Sequence, residues 1–272
     1  MAIIDQSGQN KVSIDDVAND ILRRTKNIEY KINFIMERNV ANASSIAPAD
    51  PNQIWGNRTF SQHGDDIISL SILSTMKINS PSYIDIGAHH PYVLSNTCLM
   101  YTRGCRGINI EPNPNLFDTF PAQRSEDINL NCGISDERGI LKFFMFDPTS
   151  GLNTFDPERV KFIESTTAFR VQKTIDVTVM TVDDVVDKYC SGRFPDFLSL
   201  DVEGLDYRIL QSINYDIHRP AVICVETSSA ANADEIHQLL AGAKYTFVMR
   251  SVVNMFFADA LRYDSQARFA SR

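Results

Sequence analysis

Apolar and polar positions along the 272-residue chain follow two different periods. Near the amino terminus Ile14, Ile21, Ile28 and Ile35 recur every seven residues, with Val17 and Ile32 widening the stripe and charged residues elsewhere. That spacing predicts an amphipathic helix over about residues 13–38, opened by Ser13-Ile14-Asp15-Asp16 in the form of a capping box. A seven-residue repeat also suits pairing of two helices, yet Arg24 and Lys31 fall where a second apolar row would lie. Packing against the chain's own domain and formation of a homodimer through this helix both stay open.

Residues 39–57, rich in Ala, Ser, Asn and Pro, read as a linker, so the expected division is an arm over 1–58 and a domain over 59–272. Within the domain, short apolar runs at 83–86, 106–110, 127–132, 197–200 and 221–225 alternate with segments of helical period, among them 94–101, 181–189 and 232–241. Continuous apolar runs bounded by turn residues are the signature of strands buried on both faces, and helices between them make the sheet parallel. Residues 140–146 and 173–180 read as strands flanking a loop at 147–157, and residues 245–249 and 252–258 as a closing antiparallel pair. The expected fold is α/β and Rossmann-like, with an N-terminal helical extension.

Composition narrows the function. A net charge of −8 and a pI near 5.1 oppose a surface that tracks phosphates, so no nucleic-acid partner is expected. The five cysteines are odd in number and lack C-x-x-C spacing, which points to free thiols in a cytoplasmic setting rather than to zinc or disulfides. The first residues lack a basic segment followed by an apolar one, and no apolar run approaches about 18 residues, so neither secretion nor a membrane span is expected.

Two stretches carry chemistry. In Tyr83-Ile84-Asp85-Ile86-Gly87-Ala88-His89-His90-Pro91 a strand ends in an acid, a glycine and a tight turn, and Glu111 stands at the tip of the next strand, where an acid accepts hydrogen bonds from ribose hydroxyls. The turn lacks the glycines of a pyrophosphate cradle, and Pro91 has no N–H to donate. The ligand thus predicted has a ribose and no phosphate, a description that S-adenosylmethionine meets. An adenine pocket would lie near residues 132–135.

The second stretch, Asp201-Val202-Glu203-Gly204-Leu205-Asp206, gathers three acids at a strand tip, and Glu226 ends the following strand. Asp201 and Glu226 would share a hard cation through oxygen ligands, with Mg²⁺ the candidate. His89 and His90, on the cofactor turn, are the favoured general bases, and Asp206 is a carboxylate alternative.

Together these pieces resemble the FkbM-type family of S-adenosylmethionine-dependent methyltransferases. The matching residues are Ser61-Gln62-His63-Gly64-Asp65-Asp66, the 83–89 stretch, Ser95-Asn96-Thr97, residues 103–114, Leu152-Asn153-Thr154-Phe155 and residues 198–206. The resemblance implies a class I sheet, mostly parallel and seven-stranded with an antiparallel terminal strand. It implies donor contacts at Asp85, Gly87, Ala88, His89, Ser95, Glu111, Pro112, Asn113, Ile134, Ser135 and Asp201. It further implies methylation of a hydroxyl on a sugar or glycan. Where some relatives carry a histidine this chain has Leu205, so a base at that position is absent. The alternative is a non-catalytic module that keeps the cofactor fold and serves assembly.

Overall fold

The strands marked by continuous apolar runs form the centre of the sheet. In the computed structural model, which describes residues 59–263, β1 (Tyr83–Ile86), β2 (Gly107–Ile110), β7 (Phe197–Leu200) and β8 (Val222–Glu226) lie parallel and adjacent. β3 (Ile128–Leu130), β9 (Tyr245–Arg250) and β10 (Asn254–Asp259) complete a seven-stranded sheet in the order β3-β2-β1-β7-β8-β10-β9. β10 alone runs against its neighbours, and it slots between β8 and β9 instead of extending the edge. The sheet is therefore the mostly parallel one implied by the resemblance. The predicted amino-terminal helix and linker lie outside the described residues.

Three more strands, β4 (Gly133–Ile134), β5 (Gly139–Met145) and β6 (Lys173–Met180), form a separate sheet in the order β4-β6-β5. The strand expected over 127–132 is thus shortened to 128–130. Asp127 is held outside β3 because its carboxylate accepts from the Tyr83 hydroxyl, the Gly107 N–H and the Arg124 guanidinium, and past Cys132 the chain leaves the main sheet to pair with β6.

Side chains alternate between the two faces of the sheet. Ile84, Ile86, Ile108, Ile110, Leu198, Leu200, Ile223 and Val225 pack with Val182, Val185 and Val186 of α6 (Val182–Tyr189), Ile209 of α7 (Asp206–Ser212) and Ile236 of α8 (Ala230–Gly242). On the other face Tyr83, Phe197, Val222 and Cys224 meet Leu73 of α1 (Asp65–Thr75) and Leu99 and Met100 of α2 (Cys98–Thr102). This second face also carries a buried polar row, since Asp85 is in register with Asn109 and with Ser199.

Local signals end the helices where the sequence suggests. Thr181 and Asp184 form a reciprocal capping box ahead of α6. Gly104, at φ 85°, closes α2 in a Schellman motif, with its N–H donating to Tyr101 and that of Cys105 to Met100. α2 itself is shorter than expected, because Leu94 is left-handed at φ 59° and Ser95 is tied by its N–H to the Phe60 carbonyl. The short helices α3 (Pro114–Phe117) and α4 (Phe120–Gln123) follow β2, and α5 (Pro157–Thr166) stands between β5 and β6. All five cysteines are free. No helix among the described residues is long and apolar enough to cross a membrane.

Candidate active site

A cavity of about 270 Å³ opens at the carboxyl ends of β1, β2, β7 and β8. Asp85, Gly87, Ala88, His89, Glu111, Pro112, Asn113, Ile134, Asp201 and Glu226 line it. Ser95, Ser135, His90 and Asp206 do not. Ser95 Oγ accepts from the Cys98 N–H, Ser135 donates to Asp136, and His90 Nδ1 accepts from the N–H groups of Tyr92 and Val93.

β1 and β7 meet at Gly87, whose φ is 78° and where an added Cβ would stand 1.7 Å from the Asp201 carbonyl oxygen. Only glycine permits that approach. Asp85, just before it, is buried and accepts from Thr97 Oγ1 at 2.6 Å, and Thr97 in turn accepts from Arg124 at 3.2 Å. Burial pushes the Asp85 carboxyl above the usual range, and the Thr97 hydrogen bond and the Arg124 charge pull it back.

Glu111 is fixed as an acceptor. Its two oxygens take the His89 and Asn113 N–H groups, each at 2.8 Å, and burial still pushes its pKa up to about 8. Asn113 caps α3 through its Oδ1 and donates from Nδ2 to the Pro148 carbonyl, which joins the β2 tip to the loop over 147–155. Residues 150–153 of that loop, with Phe143 and Phe155, close one side of the cavity.

His89 has φ 54°, and its Nε2 lies 3.2 Å from the Thr149 carbonyl. A carbonyl only accepts, so the proton of the neutral ring is on Nε2 and the lone pair is on Nδ1. Burial lowers the ring's pKa against the backbone hydrogen bonds of Thr149 and Val93, and Nδ1 is buried with no well-formed hydrogen bond among the described residues. Burial thus favours the neutral imidazole.

At the β7 and β8 tips, carboxylate oxygens of Asp201, Glu203 and Glu226 lie within 4.8 Å of one another. Burial and mutual repulsion push Asp201 well above the ordinary range and raise Glu203 and Glu226 with it. Glu203 enters this group through a left-handed backbone, φ 55°, that is held on three sides. Arg159 donates to its carboxylate at 2.8 Å, Thr154 Oγ1 donates to its carbonyl, and Asp206 accepts from the N–H groups of Val202 and Gly204. Asp206 is therefore the clamp of the turn, and burial pushes its pKa up to about 6. The sequence reading names Asp201 and Glu226 as the cation pair and passes over Glu203, whose direction depends on that left-handed residue.

Six carboxyl groups line the cavity, from Asp65, Asp85, Glu111, Asp201, Glu203 and Glu226, and no Lys or Arg is among the described lining residues. Asp65, Gln62, Asn96 and Asn254 are lining residues not named as contacts from the sequence, although Gln62 and Asp65 lie inside one of the matching stretches.

A comparison with curated proteins finds no match. Among solved structures the chain is similar to a Geobacter metallireducens precorrin-6y C5,15-methyltransferase, at 12% identity and TM-score 0.36, covering 70% of this chain and 85% of that one. It is similar to a Burkholderia thailandensis 1,6-didemethyltoxoflavin-N1-methyltransferase with bound 1,6-didemethyltoxoflavin and S-adenosylhomocysteine, at 12% identity and TM-score 0.38, covering 84% and 89%. An O-methyltransferase from Bacillus cereus, in complex with S-adenosylhomocysteine, is 12% identical with TM-score 0.35, covering 82% and 96%. The family described as the methyltransferase FkbM domain matches residues 85–249, a span that runs from the first acid of the cofactor turn to β9 and takes in the whole acidic cluster. By that match, over more than half of its length, the chain belongs to the FkbM methyltransferase family.

Proposed function

We propose that this protein transfers a methyl group from S-adenosylmethionine to a hydroxyl of a sugar or glycan. The observation that carries the reading is the cavity's acidic lining: six crowded carboxyl groups, with no Lys or Arg among the described lining residues, offer no cation to a pyrophosphate, and a bound sulfonium would stabilise their ionised forms. The residues fit the donor. Glu111 offers its remaining lone pairs to ribose hydroxyls, and Ile134, Cys132 and Leu116 supply an apolar wall for adenine.

The donor supplies a methyl group on a cationic sulfur, open to in-line attack. The chain's part is to align an acceptor oxygen and remove its proton. His89 Nδ1 is the proton acceptor, because burial favours the neutral ring, the ring lines the cavity, and no donor among the described residues bonds this nitrogen. The crowded acids favour an uncharged acceptor at the reacting end, so a sugar hydroxyl suits the site better than a phosphorylated group.

Asp201 and Glu226, joined by Glu203, would hold a divalent cation, with Mg²⁺ the best match to a few carboxylates. Such an ion would lower the pKa of the acceptor hydroxyl. Excess EDTA is expected to abolish turnover and leave S-adenosylhomocysteine binding intact. Full activity in EDTA would put the whole of acceptor activation on His89.

The amino-terminal isoleucine stripe is proposed to pair two copies, and deleting residues 1–40 is expected to halve the mass measured by light scattering. The free thiols suit a cytoplasmic location. The deciding experiment for the reaction is transfer of labelled methyl from S-adenosylmethionine to a panel of neutral glycans, with calorimetry of S-adenosylhomocysteine and NAD alongside. Binding of NAD in place of S-adenosylhomocysteine would overturn the reading. Donor binding with no transfer to any glycan would overturn the acceptor class.

A further inference from the structure

The two aspartates that open α1 have different fates. Asp66 is satisfied by Thr59, Ser61 and the N–H groups of Phe60 and Ile67. Asp65 is 0% exposed, and neither of its carboxylate oxygens has a hydrogen-bond partner among the described residues. It does not cap its own helix: the first-turn N–H groups of Asp66 and Ile67 donate to Ser61 Oγ and Asp66 Oδ1 instead. A buried carboxylate left without a donor costs several kcal/mol, on the order of the penalty for an unpaired buried charge. It lines the cavity.

The sheet register says what stands opposite. Ser199 and Cys224 are paired across β7 and β8 on the face that α1 covers, and the alternation of side chains puts Asp201 and Glu226, two residues further on, on that same face. Asn254 is paired with Glu226 across β8 and β10, and α1 packs against both of those strands. The Asn254 Oδ1 is a second buried acceptor without a partner among the described residues, and Asn254 too lines the cavity. Two unsatisfied acceptors thus face one space with no described cation beside them. They call for a ligand that brings N–H donors and positive charge.

Resting on the donor assignment above, we propose that Asp65 is the anchor for the α-ammonium group at the amino acid end of the methyl donor, with Asn254 Oδ1 accepting a second of its hydrogens. The topology fits this polarity. Glu111 holds the ribose over β2, and the strand order carries the other end of the ligand across β1 toward β7 and β8, where Asp65 stands. A metal ion explains Asp65 less well, because the carboxylates close enough to share one are Asp201, Glu203 and Glu226, without Asp65.

Calorimetry on the full chain tests this with three probes: S-adenosylhomocysteine, its desamino analogue, and 5′-methylthioadenosine, which lacks the amino acid end. Asp65→Asn is expected to weaken S-adenosylhomocysteine roughly tenfold or more, the loss of one charge-assisted hydrogen bond, and to leave 5′-methylthioadenosine within about twofold. Wild-type protein is expected to prefer S-adenosylhomocysteine over the desamino analogue by a similar factor, and Asp65→Asn to lose that preference. The ligand-free Tm of Asp65→Asn is expected to equal or exceed that of wild type, since an unpaired buried charge is removed.

Equal weakening of all three probes, or wild-type indifference to the amino group, overturns the proposal while leaving the donor site standing. The second of these comparisons uses wild type alone and does not depend on the variant folding. Absence of S-adenosylhomocysteine binding to wild type would instead overturn the donor assignment and this proposal with it.

Discussion

Glu111 shows how one residue can be both costly and useful. Its carboxyl is buried, its two oxygens are held by backbone N–H groups, and its pKa rises from 4.5 to about 8. A folded-state value above the unfolded one means that the native chain holds the proton more tightly. This stabilisation is complete below about pH 4.5 and is lost as pH rises through about 8. Glu111→Gln is therefore expected to be more stable than wild type at high pH, with a ligand-free Tm difference that grows between those two values. A difference independent of pH would refute the assignment. At His89 the expectation concerns rate: His89→Asn should lower kcat about 100- to 10,000-fold and leave S-adenosylhomocysteine affinity unchanged. Equal losses in both would make His89 a structural residue of the turn.

Among the elements, the junction of β1 and β7 tolerates least change. Gly87 sits at φ 78° with the Asp201 carbonyl where its Cβ would be, so Gly87→Ala combines backbone strain with a collision against main chain. It is expected to cost about 3 kcal/mol or more in urea unfolding and to displace the Asp201 end of the acidic cluster. The capping box before α6 is a milder case. Thr181→Ala removes one of its two reciprocal hydrogen bonds and is expected to cost about 1 kcal/mol with activity retained.

Across the whole molecule, the buried polar row beneath the cavity links the β1 turn to the fold's interior. Arg124 is fully buried, pairs with Asp127 at 2.8 Å, and reaches Asp85 through Thr97. Arg124→Met would leave Asp127 as an uncompensated buried charge, and breaking such a pair costs about 3–5 kcal/mol. Urea unfolding should register a loss of that size, and a loss below about 1 kcal/mol would mean that the network contributes little.

Much of this protein was legible in its sequence. Lys173–Met180 and Phe197–Leu200 are seen as expected, because short apolar or alternating runs between turn residues have few other uses. The D-x-G turn, the strand-tip Glu111 and the acidic pair Asp201 and Glu226 were visible for the same local reason: strand ends and turns are written in neighbouring residues. Roles that depend on direction were not. Whether Asp206 or Glu203 faces the cavity is decided by a left-handed backbone at Glu203 and by the N–H groups that Asp206 collects. Asp65 and Asp66 are adjacent and chemically identical, yet Asp66 is satisfied by the fold-back of residues 59–61, whereas Asp65 is buried where α1 meets the sheet, with no hydrogen-bond partner among the described residues. Sequence determines which groups stand at the sheet's edge, whereas tertiary packing decides which of them find partners inside the protein and which remain for a ligand.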